Sequence, residues 1–161
     1  MSNLELKFVY QSLNTIEKNA VIALWVGTGV LSQESAVQRV DQVSVLIMHE
    51  GKVVGVSTVY PNDFTAPHHL FFFYRMFIEE SFRGSNSLRT QVMQLNFHEL
   101  KKHYGDKVHG IVLELENKKL ASLGENTPYM SKRGYTYYGK SPRGLQLWYV
   151  RFDEPRGIFI V

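Results

Sequence analysis

The stretch Phe71–Leu100 reads FFFYRMFIEESFRGSNSLRTQVMQLNFHEL and carries the strongest structural signals of the chain. Its first eight residues form an apolar run broken only by Arg75, which is typical of a strand covered on both faces. The residues Arg83-Gly84-Ser85-Asn86-Ser87 then supply the small and capping types that favour a helix start. The stretch therefore predicts a strand, a turn and a helix.

The predicted helix is amphipathic. Its polar side consists of Thr90, Gln94, His98 and Lys101. Its apolar side consists of Leu88, Val92 and Leu95, flanked by Met93, Phe97 and Leu100. A helix with one apolar stripe of this kind is expected to lie on a sheet.

A strand that leads through a small-residue turn into a helix can bind an anion. The N–H groups of the first helical turn lack intrahelical partners, and the helix dipole favours negative charge there. Arg83 and Arg89 bracket the turn and add fixed positive charge. The same arrangement is also an ordinary connector, so the spacing alone leaves a phosphate site and a plain connection both open.

The segment Ile78–Gly84, with the sequence IEESFRG, resembles the V-x-P-x-x-R-G segment of the GNAT superfamily of N-acetyltransferases. In that family a pyrophosphate loop of the form R/Q-x-x-G-x-G/A follows. Arg83 and Gly84 match the pattern, whereas Asn86 stands where glycine is usual and Leu88 where glycine or alanine is usual. The motif is therefore degenerate, and the Leu88 side chain must point into the core for the loop to function.

Length and composition indicate one domain of 161 residues with enough chain for a sizeable core. We find no apolar run of 18 residues and no basic start followed by an apolar segment, so we predict neither a transmembrane span nor a secretory signal. The absence of cysteine excludes disulfides and thiolate metal sites, and it fits a cytoplasmic location. The net charge of +3 is scattered and does not favour a nucleic-acid partner.

The rest of the chain predicts further elements on both sides of the central stretch. They are a strand at 4–10, helices at 15–27 (capped by Asn14) and 33–40, strands at 43–50 and 52–60, a loop at 61–67, a strand at 110–116, a helical piece at 118–123, a turn at 129–133, and strands at 135–138 and 145–152. The order β-α-α-β-β-β-α-β-α-β-β describes a mixed α/β chain.

This order is that of the GNAT fold, so the resemblance extends over residues 1–161 as a single GNAT-like domain. It implies a central, mixed but mostly antiparallel sheet with helices on both faces. The tail 153–161 is apolar at its end and is interpreted either as an extra edge strand or as an interface segment. The second alternative would fit a homodimer.

The resemblance implies an acyl-CoA-dependent N-acyltransferase that uses acetyl-CoA, with an amine as the acceptor and no metal. The amine attacks directly, so a base must take its proton and an acid must protonate the leaving thiolate. A small amine, an antibiotic, a peptide N-terminus, a lysine and an aminoacyl-tRNA all remain open as acceptors. The alternative hypothesis is a catalytically inactive GNAT-fold module that binds CoA or a macromolecule.

The resemblance also implies which residues bind the cofactor. They are Phe77, Ile78, Arg83, Gly84, Ser85, Asn86, Ser87, Leu88, Arg89 and Asn117. The main chain of Phe77 and Ile78 would pair with the pantetheine arm as with an added strand. Asn117 resembles the family's cofactor-contacting asparagine, and its alternative interpretation is a helix cap.

For the acid, the family often places a tyrosine four residues before the glycine of a final glycine–aromatic pair. Here that pair is Gly134-Tyr135, and the residue four before Gly134 is Met130. Tyr129 lies one position earlier, which on a helix is a rotation of about 100°. Tyr129 is therefore either the acid, if the turn is irregular after Pro128, or a packing residue.

For the base, Glu79 and Glu80 lie at the end of the central strand, beside the expected thioester, and Glu79 is the candidate base. The alternative interpretation is that both side chains simply lie in solvent at the end of the strand. His68 and His69 begin the same strand and could titrate near neutral pH, although a surface position is the more common one for such a pair. Without a third ligand at a telling spacing, the two histidines do not indicate a metal site.

Overall fold

The structure is a computed structural model that describes residues 4–84, 86–116 and 128–160, apart from the side chain of Asn86. The strands are β1 (Leu4–Phe8), β2 (Val43–His49), β3 (Lys52–Phe64), β4 (Ala66–Ile78), β5 (Gly110–Glu114), β6 (Thr136–Lys140) and β7 (Gln146–Arg151). The helices are α1 (Thr15–Gly27), α2 (Gln33–Arg39), α3 (Asn86–Tyr104) and α4 (Pro128–Lys132). Short 3-10 turns occur at Val40–Gln42, Glu80–Phe82 and Gly157–Phe159.

The seven strands form one sheet in the order β1-β2-β3-β4-β5-β7-β6. The pairs β1/β2, β2/β3, β5/β7 and β6/β7 are antiparallel, whereas β4 and β5 are parallel from Phe72 opposite Ile111 to Tyr74 opposite Leu113. The prediction of a mixed, mostly antiparallel sheet with helices is therefore confirmed. The helical piece predicted at 118–123 lies outside the described residues.

The predicted loop at 61–67 is wrong, because strand β3 extends to Phe64 and strand β4 already begins at Ala66. Only Thr65 lies between them, with a φ of +72° that is unusual for a β-branched residue. Phe64 is buried, with its ring centroid 5.0 Å from that of Phe71. Burial of this ring extends the strand, and Pro61, at an exposed position of the strand, tolerates an extended backbone.

Helix α1 begins where its capping signal predicted. Asn14 accepts a hydrogen bond from the Glu17 N–H at 2.8 Å, and the Glu17 carboxylate accepts one from the Asn14 N–H at 3.1 Å. Lys7 of β1 lies 2.6 Å from the same carboxylate. The two hydrogen bonds between Asn14 and Glu17 satisfy two of the N–H groups that a helix start leaves without partners.

The chain divides into two units, the first formed by residues 1–59 and 76–96, and the second by residues 60–75 and 97–161. The first unit packs mainly around aliphatic side chains. Buried members of its two clusters include Val21, Val43, Leu46, Val56, Val45, Ile47, Val54, Ile78, Leu88 and Val92. β-branched residues are abundant there, as expected for strands whose side chains pack on a pleated surface.

The first unit also holds a line of buried polar groups. The hydroxyls of Ser44 and Ser57 lie 2.7 Å apart, and the Asn96 amide donates to the Ser57 hydroxyl at 3.0 Å and to the Val92 carbonyl at 2.9 Å. The Asn96 Oδ1 atom is buried without a hydrogen-bond partner in the structure. The inward position of Asn96 on α3 was not predicted.

The second unit packs around rings. Phe64 and Phe71 are buried together with Val112 and Leu147, and Phe73 and Tyr149 pack against them. On α3, Phe97 contacts Phe152 and Phe159 at centroid distances of 5.2 and 4.8 Å. Aromatic pairs at such distances add stabilisation beyond the area that they bury.

The tail belongs to this ring-packed core. Phe159 lies in the 3-10 turn Gly157–Phe159, is 1% exposed and contacts Tyr135. The Ile158 N–H donates to the Arg133 carbonyl at 3.0 Å. The described part of the tail, 153–160, contains no strand, so the edge-strand alternative is wrong there, and the interface alternative stays a prediction.

Candidate functional site

The turn after β4 belongs to the first unit and continues the strand for one residue. The Glu79 N–H donates to the Val54 carbonyl of β3 at 2.8 Å, after which the chain makes the 3-10 turn Glu80–Phe82 and reaches Arg83. Gly84 follows, and α3 begins at Asn86. Ser85 lies outside the described residues. The strand, turn and helix that the sequence predicted are all present.

Gly84 has a φ of +101°, a backbone conformation that side chains disfavour. A Cβ atom added there would meet nothing within 4 Å. The conformation of the turn, not a lack of space, therefore requires glycine at this position. The space beside Gly84 is open on the side where a Cβ would project.

The Leu88 side chain points into the core, as the sequence analysis required for this loop. Its side chain is 5% exposed and packs in the aliphatic cluster with Val92, Ile78 and their neighbours. Ser87 and Arg89, on either side, are exposed, and the first turn of α3 contains no acidic residue. The start of this 19-residue helix therefore favours an anion, since no carboxylate opposes the dipole there.

Arg83 is bound to the end of the strand. Its Nε donates to the Ile78 carbonyl at 2.7 Å, and its guanidinium carbon lies 5.6 Å from the centre of the Phe77 ring. The structure thus brings together three of the expected cofactor residues. A guanidinium has five N–H donors and a carbonyl has two lone pairs, so this bond uses only part of the capacity of each.

The candidate base, Glu79, is half-buried at the same strand end. Its Oε1 accepts a long hydrogen bond of 3.5 Å from the Ser81 hydroxyl. A carboxylate that accepts so weak a bond keeps most of its accepting capacity for another donor.

Tyr129 belongs to the second unit and lies in the short helix α4. Its side chain is half-buried, whereas that of Met130, the next residue, is 4% exposed. The helix thus turns the methionine inward and the tyrosine to a more accessible side. Asn117 lies outside the described residues.

A neighbouring tyrosine is a poor competitor for the role of acid. Burial raises the pKa of the Tyr135 hydroxyl far above its usual value, and the nearby Tyr74 raises it further. The Tyr135 side chain is only 8% exposed, whereas that of Tyr129 is half-buried. Tyr129 is therefore the more accessible of the two phenols.

The two histidines of β4 have ordinary local contacts. The His68 N–H donates to the Asp63 carboxylate at 3.0 Å. The Nδ1 atom of His69 lies 2.9 Å from the Thr65 hydroxyl and 3.1 Å from the Phe64 carbonyl, and its ring is 4.3 Å from that of His109. Within residues 4–84, 86–116 and 128–160 no group of three or more histidine, cysteine, aspartate or glutamate side chains could hold a metal ion.

Arg133 was missed by the sequence analysis, although it lies beside the candidate acid. Its guanidinium carbon is 3.8 Å from the centre of the Tyr129 ring, and its Nη1 donates to the Tyr129 carbonyl at 3.3 Å. The signal that could have found it is the spacing, because residues four apart on a helix are neighbours.

Scans of the sequence against protein-family models and against curated proteins find no match. The fold, in contrast, is similar to many solved structures. An acetyltransferase of the GNAT family from Streptococcus pneumoniae is 13% identical with a TM-score of 0.62, over 92% of this chain and 99% of that one. A Salmonella typhimurium structure that contains its cofactor acetyl-CoA is 13% identical with a TM-score of 0.66, over 95% and 96%.

The ribosomal-protein-S5-alanine acetyltransferase from Vibrio fischeri is 10% identical with a TM-score of 0.60, over 97% of this chain and 99% of that one. Similarity at such identities establishes the fold. The chain therefore has the GNAT fold over nearly its whole length, which confirms the fold that the resemblance implied. Among the described helices, none is both long and apolar enough to cross a membrane.

Proposed function

We propose that this GNAT-fold chain is an acyl-CoA-dependent N-acyltransferase that transfers the acetyl group of acetyl-CoA to an amine. The observation that carries the proposal is the turn after β4. There, Arg83 and the left-handed Gly84 lead into a 19-residue helix whose first turn holds no acidic residue. The fold supports the same conclusion, since similar structures are acetyltransferases and one contains acetyl-CoA.

In this proposal the pyrophosphate of CoA binds at the turn. The N–H groups between Gly84 and Leu88, with Ser85, Asn86 and Ser87 between them, would donate to the phosphate oxygens, and Arg83 and Arg89 would supply positive charge. The burial of Leu88 favours this arrangement, because the leucine side chain leaves the phosphate side of the turn. The pantetheine arm would pair with the main chain of Phe77 and Ile78, and Asn117 would contact the cofactor.

The proposed reaction is a direct transfer. The neutral amine attacks the thioester carbonyl, a C–N bond forms and the C–S bond breaks. Glu79 accepts the proton that the amine loses, and Tyr129 donates its phenolic proton to the departing sulfur. No metal or redox group takes part in this scheme.

The absence of cysteine supports a reducing compartment, and in this proposal the protein works in the cytoplasm.

A homodimer is a further expectation. Sedimentation equilibrium tests it, since a mass equal to that of the 18.6 kDa chain would exclude the dimer.

Calorimetric titration with acetyl-CoA tests the binding site. We expect micromolar binding to the wild type and its loss in Gly84→Asp, because the new carboxylate would lie against the phosphates. Gly144→Asp is the matched control, since Gly144 also has a positive φ, of +79°, and open space for a Cβ. Absence of binding at millimolar acetyl-CoA would overturn the proposal.

Release of free thiol with a panel of amines tests turnover. Tyr129→Phe and Glu79→Gln are expected to lower kcat, each by about 100-fold or more, since general acid–base groups contribute about 10²–10⁴-fold. Acetyl-CoA affinity should stay near that of the wild type in both variants. Unchanged kcat in either variant would remove that residue from the mechanism.

A second candidate function is a GNAT-fold module that binds CoA or a macromolecule without turnover. The degenerate turn favours it, because leucine and asparagine stand where the family has small residues, and Tyr129 lies one position before the expected acid. Binding of acetyl-CoA without thiol release from any amine would support this candidate over the enzyme.

A further inference from the structure

The side chain of Arg133 holds Tyr129 in two ways at once. Its guanidinium lies on the face of the Tyr129 ring, with 3.8 Å between the guanidinium carbon and the ring centre. Its Nη1 also donates to the Tyr129 carbonyl at 3.3 Å. A planar guanidinium suits such a contact, since it stacks on an aromatic face and still has N–H groups at its edge for hydrogen bonding.

Helix α4 gives Tyr129 little support of its own. It spans only Pro128–Lys132, and isolated helices of this length are unstable in water because nucleation is costly. Its inward side chain is Met130, whose carbonyl accepts hydrogen bonds from the N–H groups of Arg133 and Tyr135 at 3.1 and 3.2 Å. Side-chain contacts, among them that with the Arg133 guanidinium, therefore contribute to the orientation of the Tyr129 ring.

The backbone of Arg133 is itself fixed by the end of the chain. Its carbonyl accepts the Ile158 N–H at 3.0 Å. A Cβ on Gly157 would come within 2.4 Å of the Arg133 carbonyl carbon, and a Cβ on Gly134 within 2.1 Å of the Arg156 carbonyl oxygen. Gly134 and Gly157 thus let the segment 156–159 approach Arg133 closely. The backbone that carries the guanidinium is therefore firmly packed.

From this geometry we infer that Arg133 is a positioning residue for the phenol of Tyr129. The inference rests on the proposed function, in which Tyr129 gives its proton to the CoA sulfur as the C–S bond breaks. The phenol oxygen then gains negative charge, which spreads into the ring. The guanidinium above that ring is already in place and stabilises this charge without reorganising, as preorganised cations do in active sites.

The test is a double-mutant cycle. Arg133→Met keeps a long side chain but removes the charge and the planar stack, and we expect kcat to fall on the order of tenfold. The Kd of acetyl-CoA should stay unchanged. In a Tyr129→Phe background, Arg133→Met should lower kcat less than twofold, because phenylalanine has no phenolic proton to donate. Lys132→Met, which removes one charge from the adjacent exposed position, is the matched control and should leave kcat unchanged.

An equal fall of kcat in the two backgrounds would mean that Arg133 only stabilises the fold, and it would overturn the inference. A rise in the Kd of acetyl-CoA without a change in kcat would overturn it as well. Partial rescue of kcat by Arg133→Lys, which restores charge without the stack, would support it.

A second measurement separates failure of this inference from failure of the proposed function. With 3-fluorotyrosine at position 129 alone, the ¹⁹F resonance should move or broaden in Arg133→Met and stay in place in Lys132→Met. If the wild type releases no thiol with any amine, the enzyme proposal fails. The ¹⁹F result then decides by itself whether Arg133 holds the ring, and an unchanged resonance overturns that role.

Discussion

The two units of the chain differ in what fills them. The first packs around valine, leucine and isoleucine and includes a buried line of polar groups, whereas the second packs around rings of phenylalanine and tyrosine. Small aliphatic side chains adapt to volume-conserving changes, but large rings with defined neighbours adapt less well. The two candidate site regions therefore rest on different kinds of support.

The turn after β4 in the first unit is supported by regular backbone: the end of a long strand, one left-handed glycine and the start of a long helix. Tyr129 in the second unit is supported by a stacked guanidinium and by close backbone approaches at two glycines. We therefore expect the first region to tolerate substitutions in its surroundings better than the second.

The largest effect should come from a ring in the second unit. Phe71→Ala is expected to lower the free energy of unfolding by about 3–5 kcal/mol, because it removes a buried ring that contacts Phe64 and Tyr149. The matched change in the first unit is Val92→Ala, at a site with 0% exposure, with an expected loss of about 2 kcal/mol. Urea unfolding of both variants measures the difference, and equal losses would show that the two cores respond alike to a lost side chain.

The close approach at Gly134 should be next in size. Gly134→Ala is expected to cost about 3 kcal/mol, since its φ is +104° and the added Cβ would overlap the Arg156 carbonyl oxygen. Gly144→Ala is the control, with a positive φ but open space, and should cost about 1 kcal/mol. Thermal unfolding distinguishes them, and similar losses would show that contact with the tail contributes nothing.

The polar line in the first unit should have a smaller effect. Ser57→Ala is expected to cost about 1–3 kcal/mol, because it removes the partner of the Ser44 hydroxyl and of one N–H of the buried Asn96 amide, which keeps only its bond to the Val92 carbonyl. Ser44→Ala keeps the bond between Ser57 and Asn96 and should cost less. A larger loss for Ser44→Ala than for Ser57→Ala in urea unfolding would contradict the central position of Ser57 between Ser44 and Asn96.

The smallest effect concerns the start of α1. The pKa of Glu17 is lowered from its ordinary value of 4.5, first by the hydrogen bond from Lys7 and then by the Asn14 N–H. A lowered folded pKa gives stability that is present above 4.5 and is lost as the pH falls through the folded pKa. Glu17→Gln should therefore cost about 0.5 kcal/mol at pH 7 and progressively less below pH 4.5.

Unfolding in urea at pH 7 and at stepped pH values below 4.5 measures this loss. Asp153→Asn is a comparison in the second unit, since hydrogen bonds from Arg151 likewise lower the pKa of Asp153. If the loss of unfolding free energy in Glu17→Gln grew as the pH fell, the pKa of Glu17 would not be lowered in the folded protein.

Much of the fold was predictable because the signals are local. Alternation marked the strands, helical spacing marked α1 and α3, and the capping pair Asn14 and Glu17 marked a helix start that the structure contains. At the turn, the resemblance required an inward Leu88, and that side chain is buried, whereas the positive φ of Gly84 was not predicted. Local patterns of this kind depend on neighbours in sequence, which the chain displays directly.

The remaining features depend on contacts between distant residues. The strand extends to Phe64 because its ring finds Phe71, Tyr138 and Tyr149, and no pattern near 61–67 indicates this. Asn96 lies on the inward side of α3 because it meets Ser57, which is 39 residues earlier in the chain. The tail is a 3-10 turn rather than a strand because Phe159 fits against Phe97 and Tyr135.

The division of the chain has a consequence for genetic exchange. The polypeptide passes from one unit to the other at 59/60, at 75/76 and at 96/97, so neither unit is a continuous stretch of the gene. A single recombination crossover can transfer neither the turn after β4 with the whole first unit nor Tyr129 with the whole second unit. Three crossovers are needed to exchange one unit between homologous genes, so a single-crossover chimera would have to accommodate a core of mixed origin.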